Sequence, residues 1–181
     1  MNTLTLKRTG LAAKTLYVLV ALAAAVILPQ LLHLIGLSTG NGAGLGETFL
    51  PMHLPVLMIG FLAGAWVGGT VGLLAPLVSF ALTGMPLATM LPNMMVELAV
   101  YGIVSGLLAE KEMPLILKVL ITLVAGRLAK LAVIFLMSNI LHVSLLPIGL
   151  VSSSIITGLP GIIIQLIAIP LIFFLIKQRN A

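Results

Sequence analysis

Between Phe49 and Pro86 the sequence carries a single side chain that can take a charge, His53. That stretch, FLPMHLPVLMIGFLAGAWVGGTVGLLAPLVSFALTGMP, could not face water along its length, and comparable runs occupy most of the chain. Charged residues make up 7% of the protein, against roughly 25% in an ordinary soluble domain. A water-soluble fold is therefore excluded, and lipid is the expected solvent. A helix needs about 20 apolar residues to cross the hydrocarbon. Six segments approach or exceed that length, at about 14–35, 51–65, 67–83, 91–109, 115–140 and 148–176. The expected fold class is an all-α integral membrane protein, one membrane domain over residues 1–181 with six transmembrane helices.

The second and third segments are divided at GAWVGG, which predicts two short helices with a tight turn rather than one long span. Gly60, Gly64, Gly68 and Gly72 recur every four residues, which places them on one helical face. A face of small residues lets backbones approach closely in lipid.

Lysine and arginine predict the orientation. Lys7, Arg8 and Lys14 precede the first segment, Lys111 and Lys118 flank the fourth-to-fifth connection, and Lys177 and Arg179 follow the sixth. The connections at 36–50, 84–90 and 141–147 carry neither residue. Both termini are expected in the cytoplasm of a multi-pass cell-membrane protein. The net charge of +5 is read as this topology signal and not as a nucleic-acid surface, because it forms no basic patch.

Much chemistry is excluded. The chain has no cysteine and no aspartate. It has no HExxH zinc motif, no GxSxG nucleophile elbow and no P-loop. Its three histidines are dispersed and make no metal-ligand spacing. No enzyme, no cofactor and no ATP-driven machine within this one chain is expected.

Three ionisable residues nevertheless fall inside spans: Glu97, Arg127 and Lys130. Each costs roughly 2.5–3.5 kcal/mol at mid-helix on insertion scales. With a rise of about 1.5 Å per residue, the predicted boundaries bring all three into one layer in the outer half of the membrane. Asn93 shares a face with Glu97 at i, i+4, and Tyr101 continues it; Arg127 and Lys130 share a face at i, i+3. His53 lies at the outer end of the second span. VSSSIITG enters the sixth span from outside, carrying Ser153, Ser154 and Thr157, with Thr157 about 10 Å down. Gln165 is expected deeper and separate. Met94 belongs to a methionine group (Met85, Met90, Met94, Met95) that offers an adaptable wall. Two readings stay open: a pocket facing outward beneath the 36–48 loop, or a Glu97–Arg127 ion pair that locks two helices. One carboxylate cannot neutralise two cations, and an unpaired buried charge is expensive.

The PMHLP opening, the TGMP turn, MMVELAVYGIVSGLL and GRLAK together resemble the substrate-binding S-components of energy-coupling factor (ECF) transporters, over about 11–176. The resemblance implies six helices, a small vitamin bound near the outer face, and partnership with a transmembrane coupling subunit and two cytosolic ATPases. Matching positions are Asn93, Glu97, Arg127, Lys130 and the 152–157 stretch, with His53 nearby. It also implies docking of the coupling subunit on small residues of the first helix, here Ala21 and Ala25. PMH and TGMP suggest a pyridoxine- or hydroxymethylpyrimidine-like substrate, with pantothenate or another vitamin as the alternative. An autonomous oligomeric carrier or channel is the competing function.

Overall fold

The computed structural model describes residues 10–38, 40, 44–139 and 157–179. Among these there is no strand. The helices are α1 (Leu11–Ser38), α2 (Gly44–Phe49), α3 (His53–Ala63), α4 (Ala65–Thr83), α5 (Leu91–Leu108), α6 (Leu115–Asn139) and α7 (Leu159–Arg179). An all-helical outcome follows from the solvent: in hydrocarbon each backbone N–H and C=O must be satisfied within the protein. Pro29, Pro76 and Pro170 sit inside α1, α4 and α7, an arrangement membrane helices tolerate because neighbours can satisfy the freed carbonyls.

Five helices, α1, α4, α5, α6 and α7, are long and apolar enough to cross a membrane. The segment expected at 51–65 is shorter than the sequence suggests. α3 has 11 residues, about 16 Å of helix against a core of about 30 Å. Positive φ values at Leu50 and Gly64 bound the segment that holds it. Gly64, at φ 93°, also makes the turn expected at GAWVGG. The chain reverses there: the Gly60 Cα lies 2.7 Å from where a Cβ on Gly68 would stand. Trp66 is 92% exposed beside this turn, a position that suits an interfacial indole.

Of the four glycines expected on one helical face, only Gly68 and Gly72 share a helix, α4, and their partner is α5; Gly60 belongs to α3 and Gly64 makes the turn between them. A Cβ on Gly68 would meet the carbonyl of Gly102, one on Gly72 the carbonyl of Leu98, and one on Gly106 the backbone of Ala65. α4 and α5 thus pack backbone against backbone, a seam built from small residues on both helices. α3 joins the same seam where Gly60 faces Ser105.

Val56, Leu57, Val71, Ala75, Leu98, Tyr101, Val119 and Ile169 form the fully buried core. The outward faces carry Leu19, Leu31, Leu128, Phe135, Leu171 and Phe174, all exposed. In water such a surface would aggregate; in lipid it is the required exterior. Ala21 and Ala25, expected to dock a partner, are buried in the core at 7% and 0% exposure. Their small side chains let α1 approach α3 and α4, so this face packs within the protein itself.

Contacts fix how the helices run. Gln30 Nε2 on α1 donates to Thr83 Oγ1 at the end of α4 at 3.1 Å. Gly161, near the head of α7, meets the backbone of Phe49. Further along α7, Phe173 packs edge-on to Phe61 at 6.0 Å. Lys14, Lys111 and Lys177 therefore lie toward one end of the bundle, and Thr83, Leu91 and Leu159 toward the other. Lys118 is buried, and its Nζ donates to the Ala109 carbonyl at 2.8 Å. It satisfies a carbonyl that the end of α5 leaves without a helical partner.

Candidate functional site

Pro92 stands in the first turn of α5, where its missing N–H costs nothing. From there Asn93, Glu97 and Tyr101 follow at i, i+4 and i+8, all buried. Glu97 lies about 9 Å from the Leu91 end by helical rise. α6 passes the opposite way. Arg127 stands at its midpoint, twelve residues or about 18 Å from each terminus, and Lys130 lies one turn further along.

Glu97 is 1% exposed and ties three helices together. Its Oε1 accepts from Arg127 Nη1 at 3.0 Å and from the Tyr101 hydroxyl at 3.0 Å. Its Oε2 faces Lys130 Nζ at 3.3 Å. His53, at the head of α3, brings Nε2 to 3.8 Å from Oε1, close but beyond hydrogen-bonding distance. The His53 ring lies tilted on Tyr101, with centroids 5.2 Å apart. Space for Tyr101 comes from Gly126, beside Arg127, because a Cβ there would run into the phenol ring.

Among the described side chains the cluster holds one carboxylate and two cations, so with His53 neutral these carry an excess of one positive charge. It is also rich in unused polar atoms. Among the described residues, both ring nitrogens of His53, both amide atoms of Asn93, and Nε and Nη2 of Arg127 are buried without a hydrogen-bond partner. Buried polar groups are rarely left this way. Chemically, such a site can hold a small polar solute bearing hydrogen-bond acceptors or a negative charge.

His53, Glu97, Arg127 and Lys130 are thus brought together, and Asn93 shares their buried face. Met94 is partly buried against the core. Thr157 is exposed just ahead of α7. Ser153 and Ser154 lie outside the described residues.

Gln165 corrects the sequence reading. It is 1% exposed, and its Nε2 reaches the Leu50 carbonyl at 3.5 Å, the same oxygen that accepts from the His53 backbone N–H. Its Oε1 has no partner among the described residues. α7 begins at Leu159 rather than at 148, so Gln165 lies about 9 Å along its helix and at the head of α3, not near the far end. Gly158 and Pro160 carry that signal, as a break followed by a proline in the first turn.

Tyr101→Phe tests the hydroxyl's share in the cluster. It should cost roughly 1.5–3 kcal/mol, the range for a hydrogen bond to a charged group, read as a lower melting temperature in detergent. An unchanged melting temperature would mean that the hydroxyl contributes nothing to holding Glu97.

Apolar helices around a buried ionic cluster define a multi-pass membrane protein with a polar interior site, the architecture of a membrane transport component. Comparison with known families makes this specific. The chain belongs to the family described as the ECF transporter, substrate-specific component, whose model matches residues 14–173. No curated protein and no solved structure matches it. The family places the protein in the plasma membrane and in solute transport; it is a transporter component and not an enzyme class.

Proposed function

We propose that the protein is the high-affinity binding subunit of an ECF-type importer for a small water-soluble vitamin or vitamin precursor. Pyridoxine- and hydroxymethylpyrimidine-like compounds are the first candidates, and pantothenate the next. The observation that carries this reading is the ionic cluster, where an excess positive charge is buried beside unpartnered donors and acceptors from α3, α5 and α6. Lipid exacts a cost for each such group, and a bound solute would offset it.

The importer reading includes a transmembrane coupling subunit and two cytosolic ATPases, since the chain itself has no P-loop. It also includes an orientation. Both termini are cytoplasmic, because the Lys111 end of the bundle carries the positive residues. Five crossings would leave the termini on opposite sides, so α3 and the segment leading into it serve as the sixth. The cluster then faces the outside. α2 lies over that end, held by Gly46 against the His33 ring and by Phe49 against Gly161.

Calorimetry of the purified full chain in detergent, against a panel of B-vitamins and their precursors, tests the reading. Binding in the nanomolar to micromolar range is expected, and no binding across the panel would overturn it. Lys130→Met sharpens the result. Removing the surplus cation should leave the melting temperature of the ligand-free protein unchanged or higher, while ligand affinity falls at least about tenfold. Equal loss of both would mark Lys130 as a structural partner of Glu97 only.

A further inference from the structure

We infer that the ligand is a small organic monoanion whose carboxylate seats on the open edge of Arg127. This rests on the reading of the cluster as the substrate site, and it narrows the substrate class to acids, which moves pantothenate-like compounds ahead of pyridoxine- and hydroxymethylpyrimidine-like ones.

A guanidinium offers its donors in a fixed planar fork. Arg127 spends Nη1 on Glu97, at 3.0 Å. Nε and Nη2 are both buried and both unpartnered among the described residues. These two nitrogens form one side of the guanidinium, with two parallel N–H bonds spaced to match the two oxygens of a carboxylate. Had the unused donors been on different edges, a single hydroxyl or ring nitrogen could have served either. A paired, buried, unoccupied edge selects a two-oxygen acceptor.

Charge sets the valence. Arg127 and Lys130 together bring two positive charges, and Glu97 cancels one. One negative charge completes the balance. A phosphate monoester, near −1.5 to −2 at neutral pH, would overshoot it. Of the chain's three other acids, Glu110 and Glu112 lie beyond the far end of α5, about 20 Å of helix from Glu97, and the side chain of Glu47 lies outside the described ones.

The rest of the ligand is polar as well. His53 and Asn93 each present two unpartnered atoms, and Gln165 presents Oε1. His53 and Asn93 stand beside the cluster, and Gln165 stands at the head of α3. The chemistry fits a compact acid whose body carries a donor and an acceptor, such as a hydroxyl, an amide or a ring nitrogen. A simple fatty acid would leave those groups unsatisfied.

Matched pairs of acid and neutral isostere test the proposal on the unmodified full chain in detergent. Suitable pairs are nicotinate with nicotinamide, pantothenate with panthenol, and 4-pyridoxate with pyridoxine; pyridoxal phosphate supplies the phosphate arm. In at least one pair the acid should bind about 30-fold or more tightly than its neutral partner, because a neutral ligand leaves the buried fork unpaired. Arg127→Lys, which keeps the charge and loses the fork, should reduce that preference at least about tenfold. Neutral members binding as well as their acids would overturn the inference and leave the vitamin-binding reading intact. Tighter binding of the phosphate ester would overturn the carboxylate assignment. An acid preference that survives in Arg127→Lys would overturn the role of the fork. Absence of binding by every compound would overturn both readings together.

Discussion

Glu97→Gln should be the most damaging polar substitution in the protein, lowering stability by roughly 3–5 kcal/mol, the cost of removing one partner from a buried ion pair. The reason is in the count of its neighbours. Glu97 is the only carboxylate that the described side chains place in the cluster, and it accepts from Arg127, Lys130 and Tyr101 at once. A glutamine keeps the shape but removes the charge, so two cations are left at membrane depth without compensation. Its amide nitrogen would also point donor to donor at one of them. The expected result is a large drop in melting temperature and loss of a monodisperse peak in detergent. Saturating ligand, if anionic, should restore part of the loss by supplying the missing charge. A variant that melts like the parent would mean that solvent or lipid headgroups reach Arg127 and Lys130, and that the cluster is not a buried one.

Gly102→Leu should be comparably severe for a reason that involves no charge. A Cβ at Gly102 would fall on the carbonyl of Gly68, and the next nearest atoms are also backbone. Overpacking costs about 1–3 kcal/mol when side chains can shift. Here backbone meets backbone, so the helices themselves must part, and more than about 3 kcal/mol is expected. Gly72→Leu should behave alike, since its Cβ would meet the Leu98 carbonyl. Gly10→Ala provides the control, with nothing within 4 Å. Thermal melting in detergent of all three separates close packing from a general effect of losing glycine. Tolerance of Gly102→Leu would show that α4 and α5 do not approach as described.

The parts of this fold legible in the sequence were those that lipid dictates. Apolar length led to six expected spans, five of which are helices long and apolar enough to cross a membrane, and the glycine spacing announced a close seam. Helical-rise arithmetic brought Glu97 and Arg127 to one level, where they meet, because the starts of α5 and α6 are punctuated by Leu91–Pro92 and by Met113–Pro114. It failed for Gln165, because the start expected at 148 lies outside the described residues, whereas the helix that carries Gln165 begins at Leu159, after Gly158 and with Pro160 in its first turn. Ala21 and Ala25 show the other limit. An A-x-x-x-A spacing states that something packs closely there, and not whether that something is a partner or the protein's own α3 and α4. Which face of a hydrophobic helix turns inward is nearly silent in such a sequence, because lipid and core demand the same side chains.

The glycine seam also sets how the bundle can deform. Where Gly68 and Gly72 meet Gly102 and Leu98, no side chain stands between the helices to yield, so sliding or rolling of α4 on α5 brings backbone against backbone. The two helices, with α3 folded back on them, behave as one stiff keel. Deformation of the bundle is therefore easier in the elements laid against that keel, and of these α6 carries both cations that meet Glu97.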